Sequence, residues 1–292
     1  MVGVGQLTGL FGDPDLEEVL INGGRGMLRL YRNGRRESHP APCSGGELMH
    51  LARSLAREAA LRLDPGQPST GGYLPDRRDP RGGWRWHVLA GAMVPEGPVF
   101  SLRRHRFTQL SPARFGLDEE ALRLLESRLA AGQPLLICGG TGSGKTSCLA
   151  SLLREFCLEH RVFIMEEVEE IPLASPVWVR CLVRGVNQEG RGGYTLGAML
   201  RDSLRLRPDR LVIAEVRGGE AGILLQAMLC GHGSTWTTLH TDDPDHIPDR
   251  LGGGIDWPRH FDRLDPVALF PARKGPAALW FWQKGGFRRP LP

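Results

Sequence analysis

Residues 139–146 read GGTGSGKT, four glycines, a lysine and a threonine in the spacing G-x-x-x-x-G-K-[ST]. That spacing suits wrapping a backbone around a phosphate. Glycines let successive N–H groups turn inward on a β-phosphate. Here these are the amides of Gly139, Gly140, Thr141, Gly142, Ser143 and Gly144, and onward through Ser147. A helix opening at Lys145 adds the positive end of its dipole. Lys145 would bridge the β- and γ-phosphates, and the Thr146 hydroxyl would ligate Mg²⁺. Of the 37 basic residues only Lys145, Lys274 and Lys284 are lysine. A slim ammonium fits a crowded anion site where a planar guanidinium does not. The motif predicts binding of ATP or GTP.

Turnover of a bound nucleotide needs carboxylates to hold Mg²⁺ through water and to activate the attacking water. Two apolar runs end in them. In DRLVIAEVRGG, Glu215 follows LVIA, and in FIMEEVEE, Glu166 and Glu167 follow FIM. A solvated acidic surface is the competing reading for the run Glu166, Glu167, Glu169 and Glu170. Position favours Glu166 and Glu167, which end an apolar strand.

The stretch GHGSTWTTLHT adds two histidines, His232 and His240. Eight residues of extended chain span about 26 Å, so a straight strand keeps the pair from sharing one metal. Without further ligands at the right spacing, zinc is not expected. One histidine lies at a helix stop and the other ends a strand, so each is either a structural cap or a group reaching the γ-phosphate or its lytic water.

The elements that must position these residues alternate helix and strand from Asp118 on. Helices are expected at 118–131, 145–158, 194–206 and 218–231, and strands at 134–139, 161–166, 177–183, 209–215 and 234–240. This is the pattern of an α/β domain with a parallel sheet, whose sites lie at the C-terminal strand ends. After Asp242 the pattern decays into Pro- and Gly-rich sequence, read as a short irregular tail.

Residues 1–107 read as a smaller α+β domain. FGDPDLEEVLING suggests a short helix entering a strand, 27–36 alternates at period two, and 45–63 carries a helical apolar stripe. Gly and Pro crowd 64–83 and suggest a long loop. Strands follow at 84–94 and 97–107, then a linker at 108–117.

The chain has 292 residues and a net charge of +4. Residues 1–110 hold 15 Arg against 11 acids, an excess too small to argue for direct nucleic-acid binding. No apolar run reaches the roughly 18 residues that span a bilayer, and the start lacks the order of a signal peptide. These features predict a cytoplasmic protein. Six scattered cysteines without a CxxC pair read as reduced core thiols.

With GGTGSGKTS, LRLRPDRLVIAEVRGGEAGILLQAM and GHGSTWTTLHTDDP in this order, residues 118–244 resemble the secretion ATPase superfamily of type II and type IV secretion and type IV pilus assembly. The tight-adherence pilus and type IV secretion branches are the most similar. The front part is similar more loosely, through LEEVLING, RLYRNGR, WRWHV and FSLRRHRF.

The resemblance implies a RecA-like P-loop NTPase domain over 118–292, a hexameric ring, and ATP hydrolysis coupled to domain motion. It places Glu166 and Glu167 in an acidic box, with Glu167 on Mg²⁺ through water, Glu215 in the Walker B position, and His232 and His240 in a histidine box. It makes Arg103 and Arg104 the arginines that reach the nucleotide, with Arg85 and Arg217 as further family positions. Partners would be identical subunits and an inner-membrane platform protein, with the chain peripheral at the inner face of the cytoplasmic membrane.

The sequence departs from the family at Ala214, where Gly is usual, and at Glu167, where Asp is usual. The helix expected after the histidine box is opposed by DDPDHIPDRLGGGIDWPRHF. Two further readings stay open: a nucleotide-binding assembly or regulatory subunit with little turnover, and a DNA-linked motor on the same core.

Overall fold

The computed structural model describes residues 9–10, 12–23, 26–32, 35–41, 43–75, 82–106, 110–186, 189, 191–216, 219–229, 234–272 and 274–289. Two compact units divide the chain, one over 1–107 with 184–193, the other over 108–183 with 194–292. The sequence reading assigned 184–193 to the second domain. By its contacts this segment belongs to the first.

The first unit is a six-stranded antiparallel sheet in the order β3-β2-β1-β6-β5-β4. Its strands are β1 (Leu16–Asn22), β2 (Met27–Arg32), β3 (Arg35–Pro40), β4 (Ser69–Pro75), β5 (Gly82–Leu89) and β6 (Val99–Arg106). Leu16, Val19 and Ile21 of β1 are buried with Trp84, Trp86, Phe100 and Leu102, with a register shift between Leu16 and Glu18. Helix α1 (Gly45–Glu58) adds Leu48, Ala52 and Leu55 to this core. Its start is set by Ser44, which accepts from the Glu47 amide while Glu47 reaches back to the Ser44 amide, a capping box.

Two expectations change here. In FGDPDLEEVLING, expected as a short helix entering a strand, all of Leu16–Asn22 is strand, with the β-branched Val19 and Ile21 both on its buried face. The long loop at 64–83 contains β4, whose glycines serve a close strand approach. A Cβ on Gly71 would lie 2.6 Å from His87 Nδ1 and 2.8 Å from the Trp86 carbonyl oxygen.

The second unit is an eight-stranded sheet in the order β14-β13-β12-β7-β11-β10-β8-β9. Six strands run parallel: β7 (Leu135–Cys138), β8 (Val162–Glu166), β9 (Val179–Leu182), β10 (Arg210–Ile213), β11 (Thr235–Leu239) and β12 (Val267–Phe270). Period two sorts their side chains. Leu136, Cys138, Phe163 and Met165 face one core, and Leu135, Ile137, Val162 and Ile164 face the other. Helices α2 (Glu119–Ala130), α3 (Lys145–Phe156), α4 (Leu196–Ser203) and α5 (Ala221–Leu229) follow the expected alternation with trimmed ends.

Residues 110–117, expected as a linker, are packed into this unit. Phe115 and Leu117 are buried, and the Phe115 and Gly116 carbonyls accept from Ala272 N at 3.0 Å and Ala277 N at 2.8 Å.

The expectation of an irregular tail is overturned. After two short helices, α6 (Ile247–Leu251) and α7 (Trp257–Leu264), strand β12 joins the parallel sheet, and the hairpin of β13 (Ala278–Gln283) and β14 (Gly286–Arg288) extends it antiparallel. Gly252, Gly253 and Gly254 all have positive φ and make the turn between the helices, which is why no single helix forms. Trp257, Phe261, Trp282 and Phe287 then interlock, with ring centroids 5.2–5.9 Å apart.

Cys43, Cys138, Cys148 and Cys157 are buried free thiols and Cys181 is half-buried, while Cys230 lies outside the described residues. Burial pushes the Cys148 thiol up to about 12. No described helix is long and apolar enough to cross a membrane.

Candidate nucleotide site

Strand β7 is buried along its length and ends at Cys138, where the glycine loop begins. Gly139, Gly142 and Gly144 have φ of 150°, 73° and 93°. At Gly139 even a methyl group is excluded, since a Cβ would lie 2.6 Å from Ser143 Oγ. Gly144 caps α3 in the left-handed region, and Lys145 opens the helix.

The Lys145 ammonium donates to the carbonyls of Gly139 at 2.8 Å and Gly140 at 2.9 Å, which holds it across the mouth of the loop. Ser143 Oγ is buried without a hydrogen-bond partner among the described residues, a donor enclosed by the loop. Burial lowers the Lys145 pKa, and the nearby charge of Glu215 works in the opposite direction. Thr146 is half-buried at the start of α3, and Thr141 and Ser147 are exposed. A small cradle with a hydroxyl and a carboxylate near it has the oxygen chemistry that Mg²⁺ selects.

Strand order brings the other groups to the same edge. Because β7, β11, β10 and β8 are adjacent and parallel, their C-terminal ends form a row. The loop leaves β7, the exposed His240 follows β11, Glu215 lies just beyond β10, and Glu166 ends β8. Neighbouring strands lie about 4.8 Å apart, so β7 and β10 are separated by roughly 10 Å with β11 between them.

Backbone bonds brace Glu215 on both sides. Ala214 N donates to the Met165 carbonyl on β8 at 3.0 Å, and Val216 N donates to the Thr238 carbonyl on β11 at 3.3 Å. The Thr238 hydroxyl also donates to the Ala214 carbonyl. The carboxylate itself is on the surface.

Glu166 is placed differently from the expectation that it works beside Glu215. It is 1% exposed, and both of its oxygens are engaged. One accepts from the amides of Glu170 at 3.0 Å and Ile171 at 2.8 Å, and the other from Arg180 Nε at 3.0 Å. Arg180, on β9, also donates to Glu169 at 2.8 Å and to the Ile171 carbonyl. Burial pushes the Glu166 carboxyl up to about 7, against the downward pull of the two amides and Arg180. The carboxylate therefore ties the loop 167–171 to the sheet. Glu167, next along the chain, is exposed.

Sequence reasoning passed over Arg180. Its signal was a single cation inside the apolar run VWVRCLV.

Arg103 and Arg104 lie on β6 of the first unit and point to opposite faces. The Arg104 guanidinium stacks 4.7 Å from the Trp84 ring centroid and donates to the Asp13 carbonyl at 2.8 Å, so it is committed to packing. Arg103 is exposed and sits opposite Arg85 of β5, which brings these two arginines onto one face. His232 and Arg217 lie outside the described residues.

A family model described as type II/IV secretion system protein matches residues 94–253. A Mycobacterium tuberculosis chain with a provisional conjugal-transfer name is 31% identical over 265 residues, 88% of this chain and 75% of that one. The type IV secretion system protein PtlH of Bordetella pertussis is 36% identical over 266 residues, 81% of this chain and 76% of that one. Among solved structures, the ATPase DotB of Legionella pneumophila has a TM-score of 0.70 at 19% identity, covering 96% of this chain and 80% of that one, a likeness of fold.

Proposed function

The chain belongs to the type II/IV secretion system protein family, and from that premise we propose that it is an ATP-hydrolysing motor of a secretion or pilus-type machine. The observation that carries this reading is the row of strand ends, with Lys145 in its loop, Glu215 close enough to act on the Lys145 charge, and His240 following the strand between them.

In this reading the loop amides and Lys145 bind the β- and γ-phosphates of ATP. Thr146 would hold Mg²⁺ directly and Glu167 through water. The ion would supply charge neutralisation for the phosphates. Glu215 orients and polarises the lytic water. His240, with His232, responds to loss of the γ-phosphate. Glu166 acts at one remove, by holding the loop that carries Glu167.

The motor would work as a hexameric ring at the inner face of the cytoplasmic membrane, docked on a platform protein. A low-turnover regulatory subunit is the second reading, favoured by Glu167 where Asp is usual. An irregular tail no longer speaks for it, since β12–β14 pack into the sheet.

A steady-state phosphate-release assay tests the proposal. Lys145→Ala should reduce turnover to background in a protein that melts like wild type, and an unchanged rate would overturn the assignment.

A further inference from the structure

Helix α1 has two faces. Leu48, Ala52, Leu55 and Ala56 are buried, while His50, Arg53 and Arg57 lie along the exposed side, three and four residues apart. These three border a hollow of about 270 Å³, and Ala56, Leu61 and Leu63 complete its lining. Among the described residues no carboxylate lines it. Among the described residues none of the three basic side chains makes an ion pair, whereas Arg62 beside them is neutralised by Asp64. Arg53 and Arg57 repel each other at i and i+4, while Arg57 in the last turn is favoured by the helix dipole.

The floor is built by an unusual backbone. Ala60, just past the end of α1, has φ of 53°, a left-handed conformation that disfavours any residue with a Cβ. Ala60 N donates to the Arg57 carbonyl at 3.0 Å and Leu61 N to the Ala56 carbonyl at 2.7 Å, which brings the chain back at the last turn. Leu61 and Leu63 come to lie beside Arg57 as a result. A glycine at position 60 would make the same turn without strain.

Size and charge together define the ligand. The hollow is slightly below the roughly 300 Å³ at which pockets for organic molecules begin. Two guanidinium forks and an imidazole around an apolar floor match an oxyanion that carries more than one charge, and arginine meets phosphate oxygens in pairs. We propose that this hollow is a binding site for a phosphate-class oxyanion, either a free ion or the headgroup of an anionic lipid. Its lining shares no residue with the glycine loop, and its assignment does not depend on the reading of that loop.

Inorganic pyrophosphate is the probe, measured by calorimetry on the full chain carrying Lys145→Ala so that the glycine loop contributes little. Wild type saturated with ADP serves the same purpose if that variant is unstable. Binding should persist, and adding Arg53→Ala with Arg57→Ala should weaken it at least tenfold. Both side chains are exposed, so the melting temperature should hold. The double Lys variant should bind more tightly than the double Ala variant but less tightly than the arginine pair, because lysine meets phosphate as a point charge and not as a fork. Absence of binding once the loop is silenced, or binding indifferent to Arg53 and Arg57, would overturn the proposal.

Co-sedimentation with phosphatidylcholine vesicles, with and without phosphatidic acid, separates the two sources. Sedimentation that needs both phosphatidic acid and the two arginines assigns the headgroup. Pyrophosphate binding without such sedimentation assigns the free ion.

Discussion

The ends of β8 and β10 are neighbours in one sheet, each is reached through a buried apolar strand, and each presents a glutamate. Their surroundings are opposite. At β8, Glu166 is enclosed, paired with Arg180 and bonded to two amides of its own loop. At β10, Glu215 is on the surface, its backbone clamped to the strands on either side while its charge acts on Lys145. A strand end brings an acid to the active edge of a sheet. What the acid does there depends on whether its carboxylate is enclosed or at the surface. Glu166 is enclosed and its oxygens are bonded to the fold, whereas Glu215 is exposed at the strand end.

Substitutions can separate the two. Glu215→Gln should lower ATP hydrolysis by roughly 10²-fold or more, the scale of a lost general base. Melting temperature and nucleotide affinity should stay near wild type, as read by phosphate release and equilibrium binding. At the other strand end the larger loss should be in stability. At pH 8, where Glu166 is ionised, Arg180→Ala leaves a buried carboxylate without its cation, a change of about 3–5 kcal/mol in comparable pairs, and thermal denaturation at that pH should show it. If Arg180→Ala melts like wild type, Glu166 and Glu215 are less different than their surroundings imply.

Between these strands, His240→Ala should slow hydrolysis by about tenfold, some 1.4 kcal/mol, and change ATP binding less. An equal loss in both would assign His240 to binding.

A further contrast lies in the pH dependence of stability. Because the Glu166 carboxyl is raised from 4.5 to about 7, the folded chain holds this proton more tightly than the unfolded chain. Its contribution is fully present below pH 4.5 and is lost as pH rises through 7. Glu166→Gln should therefore flatten the fall in melting temperature between pH 5 and 8 relative to wild type.

The glycine loop was legible because its chemistry is local: strand, loop and helix are contiguous, and the glycines and lysine do their work within eight positions. The alternation of helix and strand through 239 was legible for the same reason. The bond between Glu166 and Arg180 was not, because it joins two adjacent strands and exists only once β8 and β9 pair. Strand β4 was hidden by its glycines, which read as loop residues yet allow a close approach to β5. The last three strands were hidden because they are short and follow a Pro- and Gly-rich stretch. Their signal lay in the aromatic spacing of ALWFWQ and GFR, and packing against α7 turned it into structure.

The hairpin that ends the eight-stranded sheet also bears on how the protein meets other chains. An exposed strand is a template on which a foreign strand can lay down hydrogen bonds, and long flat edges invite aggregation. Here the last strand, β14, has three residues, and next to it Arg289 lies 5.0 Å over the Trp280 ring. The opposite edge, β9, has four residues and carries Arg180. Neither rim of this sheet offers enough backbone to seed a continuous sheet between molecules, so at this unit association with like or unlike chains is steered toward side-chain surfaces and loops, where contacts can be made and released.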